Sequence, residues 1–377
     1  MMRDPSQHIL FLATEYDAPG MRPYARNIIN ALWQPGDHVL IVSRDAADGG
    51  AFPSVPDGAI TWIGYPTAVL EKAIFRFHPT RVLQAIHDLI DGHDITLIYS
   101  LTEELILADT IRTLQRHIPV LYTVHDATFH AYKAADPVRW LKNRIILARP
   151  QRLMLERTVL QVTNSREQQD LVSQRYKGHK VHYAPFPTLV GEAIERGGKP
   201  VGELRDVEDG YILFFGTLHL YKGVHLLYDT YFSHAELQSR HLVIAGSQDI
   251  YFNRRPDDGN NVTFINRYID DSELRDLFGR ASVVVYPYTS ATQSGVTSIA
   301  SYFGKPMVLS DIPFFKGTCE GFPGIEFFIP GDSDALATAI QRSLSNPCSS
   351  RPIYDSIFTP QALNSALNAI INQALNA

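Results

Sequence analysis

The chain has 377 residues, 45% of them hydrophobic and 20% charged, with a formal net charge of −6. That length exceeds one ordinary core and fits two α/β domains, while the acidic balance supplies no broad phosphate-neutralising surface and argues against nucleic acid as a partner. Cys319 and Cys348 form no spaced pair that would hold a metal or a disulfide framework, and no apolar run approaches the ~20 residues that span a bilayer.

The N-terminal stretch MMRDPSQHILFLAT places Asp4 and Pro5 ahead of a strand-like run, which makes a poor signal peptide, so a cytoplasmic location is expected. Buried-strand runs then follow at His8–Thr14, His38–Arg44, Ile60–Tyr65, Ile95–Leu101, Pro119–Asp126 and Leu160–Ser165. Continuous Val/Ile/Leu/Tyr runs of this length are expected where a parallel sheet is covered on both faces. Between them lie helical spacings such as Ala25, Ile28, Ile29, Leu32 and Trp33, with Pro23 suited to a first turn. The pattern repeats at Tyr211–Thr217, His241–Ser247, Asn261–Arg267, Ser282–Tyr288, Pro306–Asp311 and Ile325–Pro330. Alternation of this kind predicts an α/β protein of two doubly wound, Rossmann-like domains facing each other across a cleft. The expected boundaries are 1–190 for the first domain, 191–210 for a polar, Gly-rich connection, 211–355 for the second domain and 356–377 for a C-terminal helix packing back toward the first. In that last segment Leu363, Leu367, Ile370 and Ile371 form one apolar stripe behind Thr359 and Pro360.

Doubly wound sheets bind ligands outside the carboxyl ends of their strands. In FFGTLHLYKGVHLL a strand ends at Gly216 and Lys222-Gly223 opens a helix, so a lysine can reach an anion there. In VVVYPYTSATQSGVTSIASYFGKP, Gln293 and Ser294 precede a helix whose first amides, at Gly295, Val296 and Thr297, make a diphosphate site. Arg267–Ile269, with Tyr268 between them, is another strand end in the same half. In the first half, His125 and Asp126 end a strand, where a histidine can hydrogen-bond a bound ligand and an aspartate can orient it. Gly20, in the loop after the first strand, permits close backbone approach to a ligand.

Taken together, FFG…YKG, VIAG, DDSELRDLF..ASVVVYPY and ATQSGV…A..FGKPMV resemble the C-terminal domain of GT-B glycosyltransferases of family 4, in the subgroup with a QSGV-type donor loop. The likeness covers about residues 211–345, with a weaker echo at Thr123–Asp126. It implies a nucleotide-sugar donor held by the second domain, a glycan or lipid-linked acceptor on the first, retention of anomeric configuration, and neither cofactor nor metal. Catalytic roles then fall to His125, Asp126 and Lys222, with His125 and Asp126 positioning the transferred sugar, Gly20 beside the sugar or diphosphate, and the base at Arg267, Tyr268 and Ile269. Three positions depart from the family pattern. Thr217 stands where an arginine is usual, and Ala291 and Ile299 occupy the places of a pair of glutamates.

The match Asp332-Ser333-Asp334 to a metal-holding DxD pattern sits between IPG and ALATAI, a helix N-cap context. Residues 137–157 interleave Arg139, Lys142, Arg144, Arg149, Arg152 and Arg157 with apolar side chains, a candidate for peripheral contact with the inner face of a membrane. A sugar-nucleotide epimerase of the same architecture and a catalytically silent partner subunit are the alternative functions.

Overall fold

A computed structural model describes residues 3–18, 20–45, 52–127, 144–256, 258–291 and 294–375. Among these, thirteen strands form two parallel sheets. The first sheet holds β1 (His8–Ala13), β2 (His38–Ser43), β3 (Ile60–Gly64), β4 (Ile95–Ser100), β5 (Val120–Val124), β6 (Leu160–Thr163) and β7 (Lys180–Tyr183), in the order β3-β2-β1-β4-β5-β6-β7. The second holds β8 (Tyr211–Phe215), β9 (Leu242–Ala245), β10 (Val262–Ile265), β11 (Ala281–Tyr286), β12 (Met307–Ser310) and β13 (Ile325–Phe328), in the order β10-β9-β8-β11-β12-β13. In both, the order reverses beside the first strand, the switch point at which doubly wound folds open a crevice.

Alternation of side chains across a pleated strand explains why β1 reads as an unbroken apolar run. Ile9, Phe11 and Ala13 enter a core on one face, with Tyr24, Ile28 and Leu32 of the helix Met21–Leu32. Leu10 and Leu12 enter another on the opposite face, with Val82 and Ile86 of the helix Thr80–Gly92. The register of β1 on β2, Leu10 opposite His38, keeps both faces covered.

The chain divides into two compact units, 1–187 with 360–377, and 188–359. Residues 191–210, expected as the interdomain connection, fall within the second unit, where Ile194, Val201 and Leu204 are buried in its core. The helix Pro360–Leu375 buries Leu363, Leu367, Ile370 and Ile371 in the first unit's core, and Asn364 Nδ2 donates to Ala31 O at 2.5 Å. No described helix is long and apolar enough to cross a membrane. Residues 137–143 of the basic segment lie outside the described residues. In its described part Arg149 grips Asp109 with both terminal nitrogens (2.9 and 2.8 Å), Arg157 donates to Ala108 O and Asp109 O, and Arg152 lies 3.5 Å from Glu156.

Candidate active site

In the second unit, the loops at the carboxyl ends of β8, β9, β10 and β11 are laced together. Gly216 N donates to Ala245 O (2.9 Å), Leu218 N to Ser247 O (2.9 Å) and Gly246 N to Ile265 O (3.0 Å). Thr289, after β11, donates to Tyr221 O from its backbone nitrogen (2.7 Å) and from its hydroxyl (3.1 Å). This lacing folds the turn Leu220–Lys222 over the sheet edge and brings the lysine inward.

Lys222 is only 8% exposed. Its ammonium lies 5.4 Å from the centre of the Tyr288 ring and 6.0 Å from that of Tyr221, and 3.1 Å from the point where a Cβ on Gly216 would stand. Among the described residues no carboxylate or hydrogen-bond acceptor partners it. Burial alone pulls its pKa down to about 8. A desolvated cation without a counter-ion is costly unless an anion arrives, and a strongly perturbed group at a strand-end crevice marks a functional site.

Beyond β11, Ser294 is half-buried and Gly295, Val296 and Thr297 are buried at the start of the helix Val296–Tyr302. Thr297 Oγ1 has no hydrogen-bond partner among the described residues. Ser298 Oγ instead serves the backbone, donating to Gly295 O (2.6 Å) and accepting from Leu189 N (3.0 Å). Gln293, expected in the same loop, lies outside the described residues. Ile299 is buried and Ala291 packs on the same core, so apolar contact fills the two positions where the family shows carboxylates. Of the base-side candidates, Arg267 is spent on structure: its guanidinium donates to both oxygens of Glu203 (2.8 and 2.9 Å) and of Glu273 (2.8 and 2.9 Å), which hold its pKa above the usual range. Ile269 is buried, whereas the Tyr268 ring is 72% exposed. Asp332 caps the helix Ser333–Ser345, accepting from Ala335 N at 2.9 Å.

In the first unit, His125 and Asp126 follow β5. The amide of Gln168 clamps this turn, donating to His125 O (3.1 Å) and accepting from Ala127 N (2.7 Å). The His125 ring is buried, edge-on to Tyr24 at 4.8 Å, and its Nε2–H donates to Leu101 O at 2.8 Å. One face of Asp126 is tied by Gln151 Nε2, which donates to the Asp126 carbonyl at 3.2 Å. Gly20 takes a left-handed φ of 81° just before the helix Met21–Leu32, exposed to solvent.

Two carboxyls escaped the sequence reading. Glu104, past the end of β4, is buried; Thr14 Oγ1 donates to its Oε2 (2.7 Å), and Leu107 N and Ile106 N donate to its Oε1 (3.1 and 3.3 Å). Glu15, past the end of β1, has a buried Oε1 without a hydrogen-bond partner among the described residues. Burial pushes both groups up to about 7, against the pull of Arg76 on Glu15 and of Thr14 on Glu104. Glutamates directly behind two buried-strand runs were the available signal. Because both bind protons more tightly folded than unfolded, they favour folding below about pH 4.5, and that contribution is lost as pH rises through about 7. Glu104→Gln imitates the protonated form. It is expected to melt about 5 °C above the wild type at pH 8 and level with it at pH 5. An equal offset at both pH values would remove Glu104 from the pH response.

Residues 209–346 match the family model described as glycosyl transferases group 1. A search of curated protein sequences finds no match. Among solved structures, a sucrose-phosphate synthase from Thermosynechococcus elongatus is similar over 98% of this chain and 99% of that one, with 19% identity and a TM-score of 0.68. HepE of Anabaena, in complex with UDP, is similar over 97% of this chain and all of that one, at 17% identity and a TM-score of 0.68. A UDP-forming α,α-trehalose-phosphate synthase from Burkholderia vietnamiensis follows at 15% identity, 98% and 99% coverage and a TM-score of 0.63. At these identities the structural likenesses establish the fold. The chain therefore has the two-domain fold of GT-B glycosyltransferases, and its residues 209–346 match a group 1 glycosyl transferase domain.

Proposed function

We propose that this chain is a metal-independent, retaining glycosyltransferase that moves a sugar from a nucleotide-diphosphate donor to a glycan or lipid-linked acceptor. The observation that carries the reading is the buried Lys222, without a carboxylate partner among the described residues, at the carboxyl edge of a sheet inside the matched domain. The donor diphosphate rests on its ammonium and on the amides of Gly295 and Val296, with Ser294 and Thr297 around it. These groups stabilise the charge that develops as the bond from the anomeric carbon to phosphate breaks. No carboxylate stands at Ala291 or Ile299 to act as a nucleophile, so the acceptor oxygen attacks from the leaving-group side, and the departing phosphate oxygen takes its proton. His125 and Asp126 orient the sugar, and Gly20 leaves room for it. The base lies against Tyr268, beside the backbone of Arg267 and Ile269. The basic segment 137–157 offers peripheral contact with a membrane, and in its described part Arg149, Arg152 and Arg157 also pair within the protein.

The complex of HepE with UDP makes UDP the first nucleotide to test. A nucleoside diphosphate at 100 times its Kd stabilises by about 2.7 kcal/mol, which for a unit of this size raises the melting temperature by about 5 °C or more. A screen of UDP, GDP, ADP and dTDP that shifts no transition at millimolar concentration would sink the donor site. Transfer itself, read as nucleoside diphosphate release on adding acceptor, is expected to survive exhaustive EDTA. Loss with EDTA and rescue by magnesium would overturn metal independence. Interconversion of the sugar nucleotide without acceptor would select an epimerase.

A further inference from the structure

Among the described residues, Gln248 is the one non-glycine residue with a positive φ, 91°. A side chain in the left-handed region costs conformational energy that glycine escapes, and such strain persists where the surroundings over-determine it and a function uses it. Here the surroundings do so. The preceding residue accepts from Leu218 N at 2.9 Å, and Gly246 is locked to β10 through Ile265 O. The side-chain amide of Asn266, turned with its nitrogen inward, donates to Gln248 O at 2.6 Å and to Gly246 O at 3.3 Å. The backbone is pinned from both neighbouring strand ends, yet the side chain it presents is exposed.

Its place in the sheet says what the amide is for. Lys222 folds over the end of β8, Gln248 follows β9, and the exposed Tyr268 follows β10; the three strands are consecutive in the sheet. From β8 to β10 is two strand spacings, about 10 Å, the reach of a nucleoside from its phosphate to the far edge of its base. Arg267, which follows β10, has its guanidinium closed off by Glu203 and Glu273. We propose that Gln248 reads the hydrogen-bonding edge of the donor's nucleobase and sets which nucleoside diphosphate the site prefers. A carboxamide offers a donor and an acceptor side by side, which suits a base edge that presents both.

This inference rests on the donor-site reading, and one set of measurements separates the two. Dissociation constants for UDP, GDP, ADP and dTDP, with melting temperatures of the free proteins, are compared for the wild type, Gln248→Gly and Gln248→Asn. Glycine relieves the strain, so that variant is expected to fold and melt above the wild type; asparagine tolerates the same backbone with a shorter amide. The expected result is about tenfold weaker binding of the preferred diphosphate in Gln248→Gly, with the other three changed less than twofold. Asparagine should retain part of the preference. An unchanged ranking in Gln248→Gly overturns the proposal, and so does equal weakening of all four nucleotides, which would mark a contact to the shared ribose or phosphates. A wild type that binds none of them overturns the donor site and this inference with it.

Discussion

Lys222→Met is expected to melt several degrees above the wild type while turning over at about one-hundredth of its rate or less. The two effects share one cause. At neutral pH the folded chain holds the ammonium of a residue that is 8% exposed, with no carboxylate partner among the described residues, and its pKa falls to about 8. A fall from 10.5 to about 8 corresponds to roughly 3 kcal/mol of unfavourable burial, which methionine removes while keeping most of the packing. The same charge is most useful when a diphosphate leaves, so removing it raises the barrier as it stabilises the fold. The pH dependence follows with signs that can be checked. In the free protein the unfolded chain binds more protons between about pH 8 and 10.5, so stability rises with pH across that window. Donor binding needs the ammonium, so affinity falls by up to tenfold per pH unit above about 8. Lys222→Arg should bind less tightly at pH 7, since a planar fork fits a point-charge site poorly, but should lose this pH dependence. Calorimetric titration with UDP across pH 6 to 10 reads each of these. Wild-type turnover in the methionine variant would remove Lys222 from the mechanism.

Why the fold was legible while parts of the site were not comes down to which forces leave a mark on composition. Strands buried on both faces must be apolar throughout, so β1 and β11 announce themselves as HILFLA and ASVVVY. The missed strand, β7, is KVHY at the edge of its sheet, with Lys180 exposed and no residue fully buried, so its run carries no such signature. The stretch 191–210 reads as a linker because it is charged and Gly-rich, yet Ile194, Val201 and Leu204 are enough to bind it to the second core. Lys222 was readable from its place behind a strand glycine, but its lack of a counter-ion among the described residues was not, because that depends on which side chains do not converge. Arg267 shows the converse: Glu203 is far away in sequence, and only the fold reveals that the guanidinium is occupied. The strain at Gln248 leaves no trace in residue type, since glutamine is ordinary in a loop and unusual only at that φ.

Gly223→Ala is expected to destabilise the second unit by more than about 4 kcal/mol and to lower its melting temperature by about 8 °C or more. Gly223 has a φ of 65°, and a Cβ there would stand 1.9 Å from Pro287 O. The left-handed backbone alone costs an alanine about 1–2 kcal/mol. The larger part comes from the contact, because the atom in the way is a backbone carbonyl and no side chain can rotate to make room. Either the turn Leu220–Lys222 or the segment Pro287–Thr289 must move, and the two are tied by the bonds from Thr289 to Tyr221 O. Moving either one carries the ammonium of Lys222 away from Gly216, so donor binding should weaken along with stability. Gly20→Ala separates strain from collision. Gly20 has a φ of 81° but no heavy atom within 4 Å of a built Cβ, so that variant bears the left-handed cost alone. Melting curves and UDP titrations of the two variants side by side give the comparison. If Gly223→Ala cost no more than Gly20→Ala and left UDP affinity unchanged, the Lys222 turn would be free to shift, and its position would owe nothing to the close approach at Pro287.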